Sequence, residues 1–167
     1  MSELEKAAAE HARVQREIAQ REARQQAEKR AAAAREMGMF TRHAAEFFAF
    51  ARKHGAPLFQ RCIELDYIDH STFEQTPDQC VVAGGWYPFG GFKEPRWAVT
   101  SDGALYLDWY VRGKRNIVAS RKGPYHYPVE TLEAHFVAAA SALTTPVRLP
   151  NGQQTGIQPD GTIGYRP

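Results

Sequence analysis

The chain has 167 residues, of which 43% are hydrophobic and 24% charged, and its formal net charge is +2. That length predicts one domain with at most an appendage. The net charge is +3 over residues 1–54 and −1 over residues 55–167, which is too mild to indicate a nucleic-acid partner by itself. No stretch approaches the roughly 18 apolar residues of a membrane-spanning helix, and the charged start is not a secretory signal. A cytoplasmic protein without membrane contact is the default expectation.

Residues 2–36, called the helical arm below, are predicted to form one long charged helix rich in alanine. Alanine, glutamate, arginine, glutamine and lysine dominate this segment, and all are strong helix formers. Pairs of opposite charge three positions apart, such as Glu3–Lys6 and Glu10–Arg13, add local support. The first glycine is Gly38, where the helix is expected to break or bend.

The arm has two candidate packing faces. One heptad phase gives an apolar seam that fails after about two heptads: Leu4, Ala7, His11, Val14 and Ile18, followed by Arg21 and Gln25. A spacing of eleven residues aligns alanines instead: Ala8 with Ala19, and Ala12 with Ala23 and Ala34. Either the arm is a solvated helix held by its own ion pairs, or it binds a helical protein partner. A second copy of the chain is one such partner, in a coiled coil or other oligomer.

Residues 38–145 have the pattern of an α+β domain, which lies between the arm domain (residues 1–37) and a Pro/Gly-rich tail or small hairpin (residues 146–167). A helix is predicted over residues 40–54, with one buried face: Phe40, Ala44, Phe47, Phe48 and Ala51. Phe50 lies off that stripe and is expected to be covered by the arm or by a partner. A closing helix is predicted from Pro128, with a second apolar face: Val129, Leu132, Phe136, Ala139, Ala140 and Leu143.

Between these two helices, which are expected to cover it, the pattern predicts an antiparallel meander of four or five strands. The predicted strands are 62–68, one that opens at 80–83, 97–100, 104–111 and 117–120, whereas residues 70–79 are predicted to be a polar loop. Ser101-Asp102-Gly103 suits the tight turn of a hairpin. In the tail, Pro159-Asp160-Gly161 is a second turn signal, so this segment is either a small hairpin or extended.

The most distinctive local sequence is Gly84-Gly85-Trp86-Tyr87-Pro88-Phe89-Gly90-Gly91-Phe92. Glycine permits close backbone approach and aromatic rings supply flat apolar area, so a binding surface is one interpretation. Its candidate residues are Trp86, Tyr87, Phe89 and Phe92. The alternative is an irregular hairpin whose aromatic side chains fill one end of the core. The spacing of the glycines is neither that of a phosphate-binding loop nor that of a dinucleotide site.

A second candidate surface is basic. Five positive side chains fall within eleven residues that contain no acid: Arg112, Lys114, Arg115, Arg121 and Lys122. Such a cluster is either a solvated hairpin tip, a site for an acidic protein surface, or a site for phosphates. Tyrosine and tryptophan side chains on the same predicted sheet would suit stacking on a single strand, but the sequence pattern of an RNA-recognition sheet is absent.

Patterns for catalysis, metals and cofactors are weak. Four potential ligands cluster without the spacing of a zinc or calcium motif: Asp66, Asp69, His70 and Glu74. No metal or cofactor is therefore predicted. Cys62 and Cys80 are expected to be buried thiols, with a disulfide between neighbouring strands as the alternative. A Cys/His enzyme site would need one of these thiols beside His70 or His126.

Together these patterns favour a non-enzymatic interaction protein, such as an adaptor, accessory protein or inhibitor. It would bind a protein partner, or a second copy, through residues 2–36 and through the aromatic and basic surface of the α+β domain. One alternative is a nucleic-acid-binding protein that uses the basic hairpin and sheet aromatics. A small enzyme with a Cys/His site is the second alternative.

Overall fold

A computed structural model describes residues 2–65, 72–86, 92–107, 109–111, 113, 115–119, 123 and 129–167, with the backbone alone for residues 92–95, 129 and 130. The helices are α1 (Glu3–Lys53) and α2 (Val129–Thr144). The strands found in this part of the chain are β1 (Phe59–Glu64), β2 (Phe73–Trp86), β3 (Phe92–Thr100), β4 (Leu105–Leu107), β5 (Tyr110–Val111), β6 (Asn116–Val118), β7 (Gly156–Ile157) and β8 (Ile163–Tyr165). The α+β class, the long N-terminal helix and the mostly antiparallel sheet are confirmed. The residues form two compact units, Met1–Gly38 and Met39–Pro167.

Helix α1 begins with a reciprocal capping arrangement. The backbone N–H of Glu5 donates to Oγ of Ser2 at 3.2 Å, and the N–H of Ser2 donates to the Glu5 carboxylate at 2.6 Å. These two bonds satisfy donors that have no partner within the helix. The helix is continuous through Gly38, so the expected break is absent. One glycine costs a helix interior about 1 kcal/mol relative to alanine, which strong helix formers on both sides tolerate.

Strand β2 is the central strand of the sheet. It pairs antiparallel with β1 along its first half and with β3 along its second half. The sheet departs from a simple meander in two places, because β6 pairs parallel with β1 and β8 pairs parallel with β2. Both parallel pairs join segments that are distant in sequence. They add strands to the four or five expected from the local pattern.

The first half of β2 was predicted to be a polar loop, and that prediction is wrong for residues 73–79. The pairing shifts opposite Arg61, where Gln60 faces Gln79 but Cys62 faces Gln75, so three residues of β2 lie opposite one of β1. This is a β-bulge, and a bulge accommodates the proline at position 77. Tertiary pairing with β1 therefore overrides the polar composition.

The two faces of the sheet carry separate cores. Helices α1 and α2 cover one face, where alternate residues of β2, β3 and β4 are buried: Val81, Ala83, Trp97, Val99, Leu105 and Leu107. The residues between them lie on the opposite face in a second cluster, which also draws on β1 and β6: Phe59, Cys80, Val82, Ala98, Tyr106, Trp109, Ile117 and Ala119. Side chains of a strand alternate between faces, so a sheet buried on both sides has nearly continuous apolar strands.

The helical faces predicted from the 3.6-residue period are largely confirmed. On α1, Phe40, Ala44, Phe47 and Ala51 are buried and Phe48 packs against them. On α2, the residues that point into the same core are Leu132, Phe136, Ala139 and Ala142. Phe47 and Phe136 stack with ring centroids 5.5 Å apart, which joins the two helices above Trp97.

Two predicted turns are also present. Gly103 adopts φ of 81° between β3 and β4, and its N–H donates to the carbonyl of Thr100 at 3.0 Å. In the tail, β7 and β8 pair as an antiparallel hairpin around residues 158–162. Ile163 and Tyr165 of β8 are completely buried. The hairpin is thus the form that the tail adopts.

Candidate functional site

The residues singled out as a binding surface are described only in part. Trp86 is 5% exposed, and a Cβ added to Gly164 would lie 2.4 Å from its ring, so the indole packs tightly on β8. Phe92 begins β3 opposite Trp86, with its backbone alone described. Arg115 is exposed in the turn before β6, with φ of 57°. The remaining candidates lie outside the described residues: Tyr87, Phe89, Arg112, Lys114, Arg121 and Lys122.

The thiols and the acidic cluster have the following environments. Cys62 and Cys80 are both free and buried, as expected, rather than joined in a disulfide. Burial raises the pKa of the Cys62 thiol and raises that of Cys80 to about 12, which opposes formation of a reactive thiolate. Asp66, Asp69, His70 and His126 lie outside the described residues. Among the described residues, no group of three His, Cys, Asp or Glu side chains could hold a metal ion.

A groove between α1 and α2 is lined mainly by apolar side chains. We call it the interhelical groove. Its volume is about 420 Å³ and its walls are formed by His43, Glu46, Phe47, Phe50, Glu133, Phe136, Val137 and Ala140. The stacked rings of Phe47 and Phe136, which are 5% and 6% exposed, form its floor. The stacking fixes both rings, so the floor is preformed.

The exposed wall of the groove is apolar. Val137 of α2 is 70% exposed although it lies in a helix that packs on the core. Phe50 of α1 is half-buried, with its ring centroid 4.3 Å from that of His54. Two large apolar side chains at the mouth of one groove mark a surface that gains free energy when another molecule covers it.

The polar rim of the groove is acidic. Nδ1 of His43 lies 2.6 Å from a carboxylate oxygen of Glu133, and this contact joins the two helices at one end of the groove. Glu46 is exposed and forms no ion pair with any described residue. Among the described residues that line the groove, there is neither lysine nor arginine. The groove therefore combines an apolar floor with net negative charge, which suits an apolar ligand that carries a positive group.

The helical arm presents the other candidate surface. All its residues from Ser2 onward are described, and none between Ser2 and Met39 is buried. The ion pairs Lys6–Glu3 and Arg13–Glu10 have N–O distances of 3.2 and 2.6 Å, as the sequence predicts. On the apolar seam, Leu4 is 80%, Val14 38% and Ile18 45% exposed.

Sequence reasoning did not identify the interhelical groove. Its two signals were Phe50, an aromatic residue beyond the stripe that α1 needs, and Val137, an apolar residue off the stripe of α2. Each is weak alone, because single exposed apolar side chains are common on soluble proteins. His43 and Glu133 are 90 residues apart in the chain, so only the fold brings them together.

Comparisons with protein-family models, curated proteins and solved structures find no match to this chain. Within the described residues, no helix has the length and apolar character needed to cross a membrane.

Proposed function

We propose that this chain is an interaction protein that binds a protein partner through its helical arm. The observation that carries the proposal is the exposure of the seam formed by Leu4, Val14 and Ile18 in a helix that is continuous from Glu3. Local ion pairs are sufficient for a solvated spacer helix. A spacer helix does not need large apolar side chains aligned on one face, whereas such side chains provide contact area for a second helix.

The small apolar area of the seam determines how much additional contact a partner must provide. Full burial of one Leu, Ile or Val side chain contributes about 1.5–3 kcal/mol, whereas association costs roughly 4–15 kcal/mol in lost freedom. Leu4, Val14 and Ile18 are already partly covered by the helix itself, so their contribution is below the full value. The seam therefore sets position and specificity, and a stable complex needs further contacts on the partner or on the α+β domain.

The basic surface of the domain is a second part of this proposal. Arg115 supports it, because its side chain is exposed at the turn between β5 and β6. An acidic partner surface is the chemistry that this charge favours. The role fits an adaptor, accessory protein or inhibitor, whose activity resides in what it binds.

The test uses the full chain with two substitutions on the seam, Val14→Glu and Ile18→Glu. The matched control is Gln20→Glu with Ala31→Glu, which adds two negative charges on a helix face that carries neither the seam nor the alanine stripe. Glutamate is a good helix former, so circular dichroism should show equal helix content in all three proteins. Partners captured by the wild-type chain are identified, purified and titrated against each protein, and self-association is measured by sedimentation.

We expect the seam variant to lose at least tenfold in affinity for the partner, whether that is a second copy or another protein, while the control retains it. Equal binding by the seam variant and the wild type would refute the proposal, and so would the absence of any protein partner. Salt separates this proposal from the nucleic-acid alternative, in which affinity for a single-stranded oligonucleotide falls steeply between low and high salt.

A further inference from the structure

Arg21 occupies the heptad position that follows Val14 and Ile18 on the seam. If two arms paired in parallel and in register, Arg21 would face the same arginine of the other copy, and like charges at that position oppose pairing. Arg21 forms no ion pair with any described residue, whereas Lys6 and Arg13 each have one within the arm. A partner surface that is apolar beside Val14 and Ile18 and acidic beside Arg21 would therefore complement the seam.

The interhelical groove has this combination. Phe50 and Val137 supply apolar surface at its mouth, and Glu46 supplies a carboxylate that has no ion-pair partner among the described residues. Val14 and Ile18 are one helical turn apart, about 6 Å along the axis. The groove has a volume of about 420 Å³, within the range of sites that enclose apolar ligand groups.

We propose that the interhelical groove of one copy of this chain binds the helical arm of a second copy. Val14 and Ile18 of the arm pack against Val137, and Arg21 forms an ion pair with Glu46. Two copies contain two arms and two grooves, so each arm can bind the groove of the other copy. The result is a twofold-symmetric dimer with two identical contacts. The inference rests on the proposed function, because it names the partner of the arm.

The decisive experiment exchanges the two charges. Arg21→Glu and Glu46→Arg are made singly and together in the full chain, and self-association is measured by sedimentation equilibrium. The matched control is Arg24→Glu, which makes the same charge change at an arm position off the seam. Both Arg21 and Glu46 are exposed, so these substitutions leave the core intact, and circular dichroism verifies the fold.

We expect the wild-type chain to form a dimer. Each single exchange should weaken it about fivefold or more, since it replaces an attraction by a repulsion. The double variant should recover an affinity within about threefold of the wild type because the pair is restored with opposite polarity. Arg24→Glu should leave the dimer unchanged.

Three results would overturn the inference: a monomeric wild-type chain, a double variant weaker than either single one, or a loss from Arg24→Glu as large as that from Arg21→Glu. The proposed function can hold even where this inference fails. If Val14→Glu with Ile18→Glu abolishes binding of another protein while Glu46→Arg does not affect it, the arm is an interaction helix whose partner is not the groove. If neither pair of substitutions affects any binding, both proposals are wrong.

Discussion

Trp97 donates a hydrogen bond from its indole Nε1 to the hydroxyl oxygen of Tyr165, 2.8 Å away in the core of the α+β domain. The same oxygen lies 2.7 Å from Nδ1 of His135 on α2. Burial raises the pKa of Tyr165, so its hydroxyl stays protonated while it accepts the indole N–H of Trp97. One tyrosine thus links β3, the tail strand β8 and α2.

Tyr165→Phe should destabilise the domain by about 1–3 kcal/mol, because it leaves a buried indole N–H without an acceptor. The matched control is Tyr110→Phe, which removes a hydroxyl that donates to Glu64 at an exposed site. Tyr110→Phe should lower the free energy of unfolding by less than about 1 kcal/mol. Urea unfolding followed by tryptophan fluorescence measures both. Equal losses from the two variants would show that the Tyr165 hydroxyl has no special role.

Gly103 is the residue of the β3–β4 turn least able to accept a side chain. A Cβ there would lie 2.0 Å from the carbonyl oxygen of Thr41 on α1, and φ of 81° is unfavourable for alanine. Gly103→Ala should therefore destabilise the fold by about 3 kcal/mol or more, from strain and displacement of α1 combined. Thermal unfolding measures the loss, which a normal melting temperature would contradict.

Gly38 is the opposite case and serves as the comparison. It lies within α1, and no atom beyond the adjacent backbone of the helix itself stands within 4 Å of the position its Cβ would take. Gly38→Ala should stabilise the helix by about 0.5–1 kcal/mol, since alanine loses less backbone entropy. Circular dichroism on heating detects the gain in helix. An unchanged or lower helix content would show that the backbone freedom of Gly38 does not limit the stability of α1.

The sequence predicted those elements whose conformation depends mainly on neighbouring residues in the chain. The buried faces of α2 and of residues 40–51 of α1 follow from the 3.6-residue period, because both helical segments pack on the same face of the sheet. The turn at residues 101–103 follows from the conformational preference of Asp-Gly. Burial at the end of β1 was less predictable: Cys62 is buried, whereas Leu65, directly after the strand, is 55% exposed.

Pairing between segments distant in sequence limits how much of the remaining fold could be predicted. The parallel contacts of β6 with β1 and β8 with β2 join distant segments, and neither leaves a trace in the local sequence. The interhelical groove has the same origin, because Phe50 and Val137 meet only when α1 and α2 pack on the sheet. The arm could be predicted as a helix with an exposed seam, but its charge complementarity with Glu46 required the groove.

Asp78 stabilises the bulge of β2 by binding Arg61. Its carboxylate accepts hydrogen bonds from Nε and an Nη of Arg61 at 2.9 and 2.6 Å, and the guanidinium lies 4.4 Å from the ring centre of Tyr106. Because the Arg61 side chain is only 13% exposed, Asp78→Ala leaves a largely buried cation without its counter-ion. We expect a loss of about 2–4 kcal/mol.

The matched control for this ion pair is Glu10→Ala, which removes the partner of Arg13 in an exposed pair of the arm. Its expected cost is below about 1 kcal/mol. Chemical unfolding of the domain, followed by tryptophan fluorescence, compares the two variants. Should Asp78→Ala unfold at the same denaturant concentration as the wild type, the bulge would not depend on this ion pair.

Cys80 should make the stability of the domain depend on alkaline pH. Burial raises its pKa from 9.0 to about 12, so the folded thiol stays protonated where the unfolded thiol ionises. The folded state then binds more protons, and its stability, complete below pH 9, falls as the pH rises toward 12. A difference of one bound proton lowers the free energy of unfolding by about 1.4 kcal/mol per pH unit.

Cys80→Ala tests this dependence. The variant should be less stable at pH 8 because it leaves a small cavity, yet its stability should fall less steeply than that of the wild type between about pH 9 and 10. Urea unfolding in the presence of a reductant at several pH values gives both slopes. Cys62, whose pKa burial also raises, contributes equally to both proteins and cancels in the comparison. Parallel curves for the two proteins would show that the Cys80 thiol ionises in the folded state as readily as in the unfolded chain.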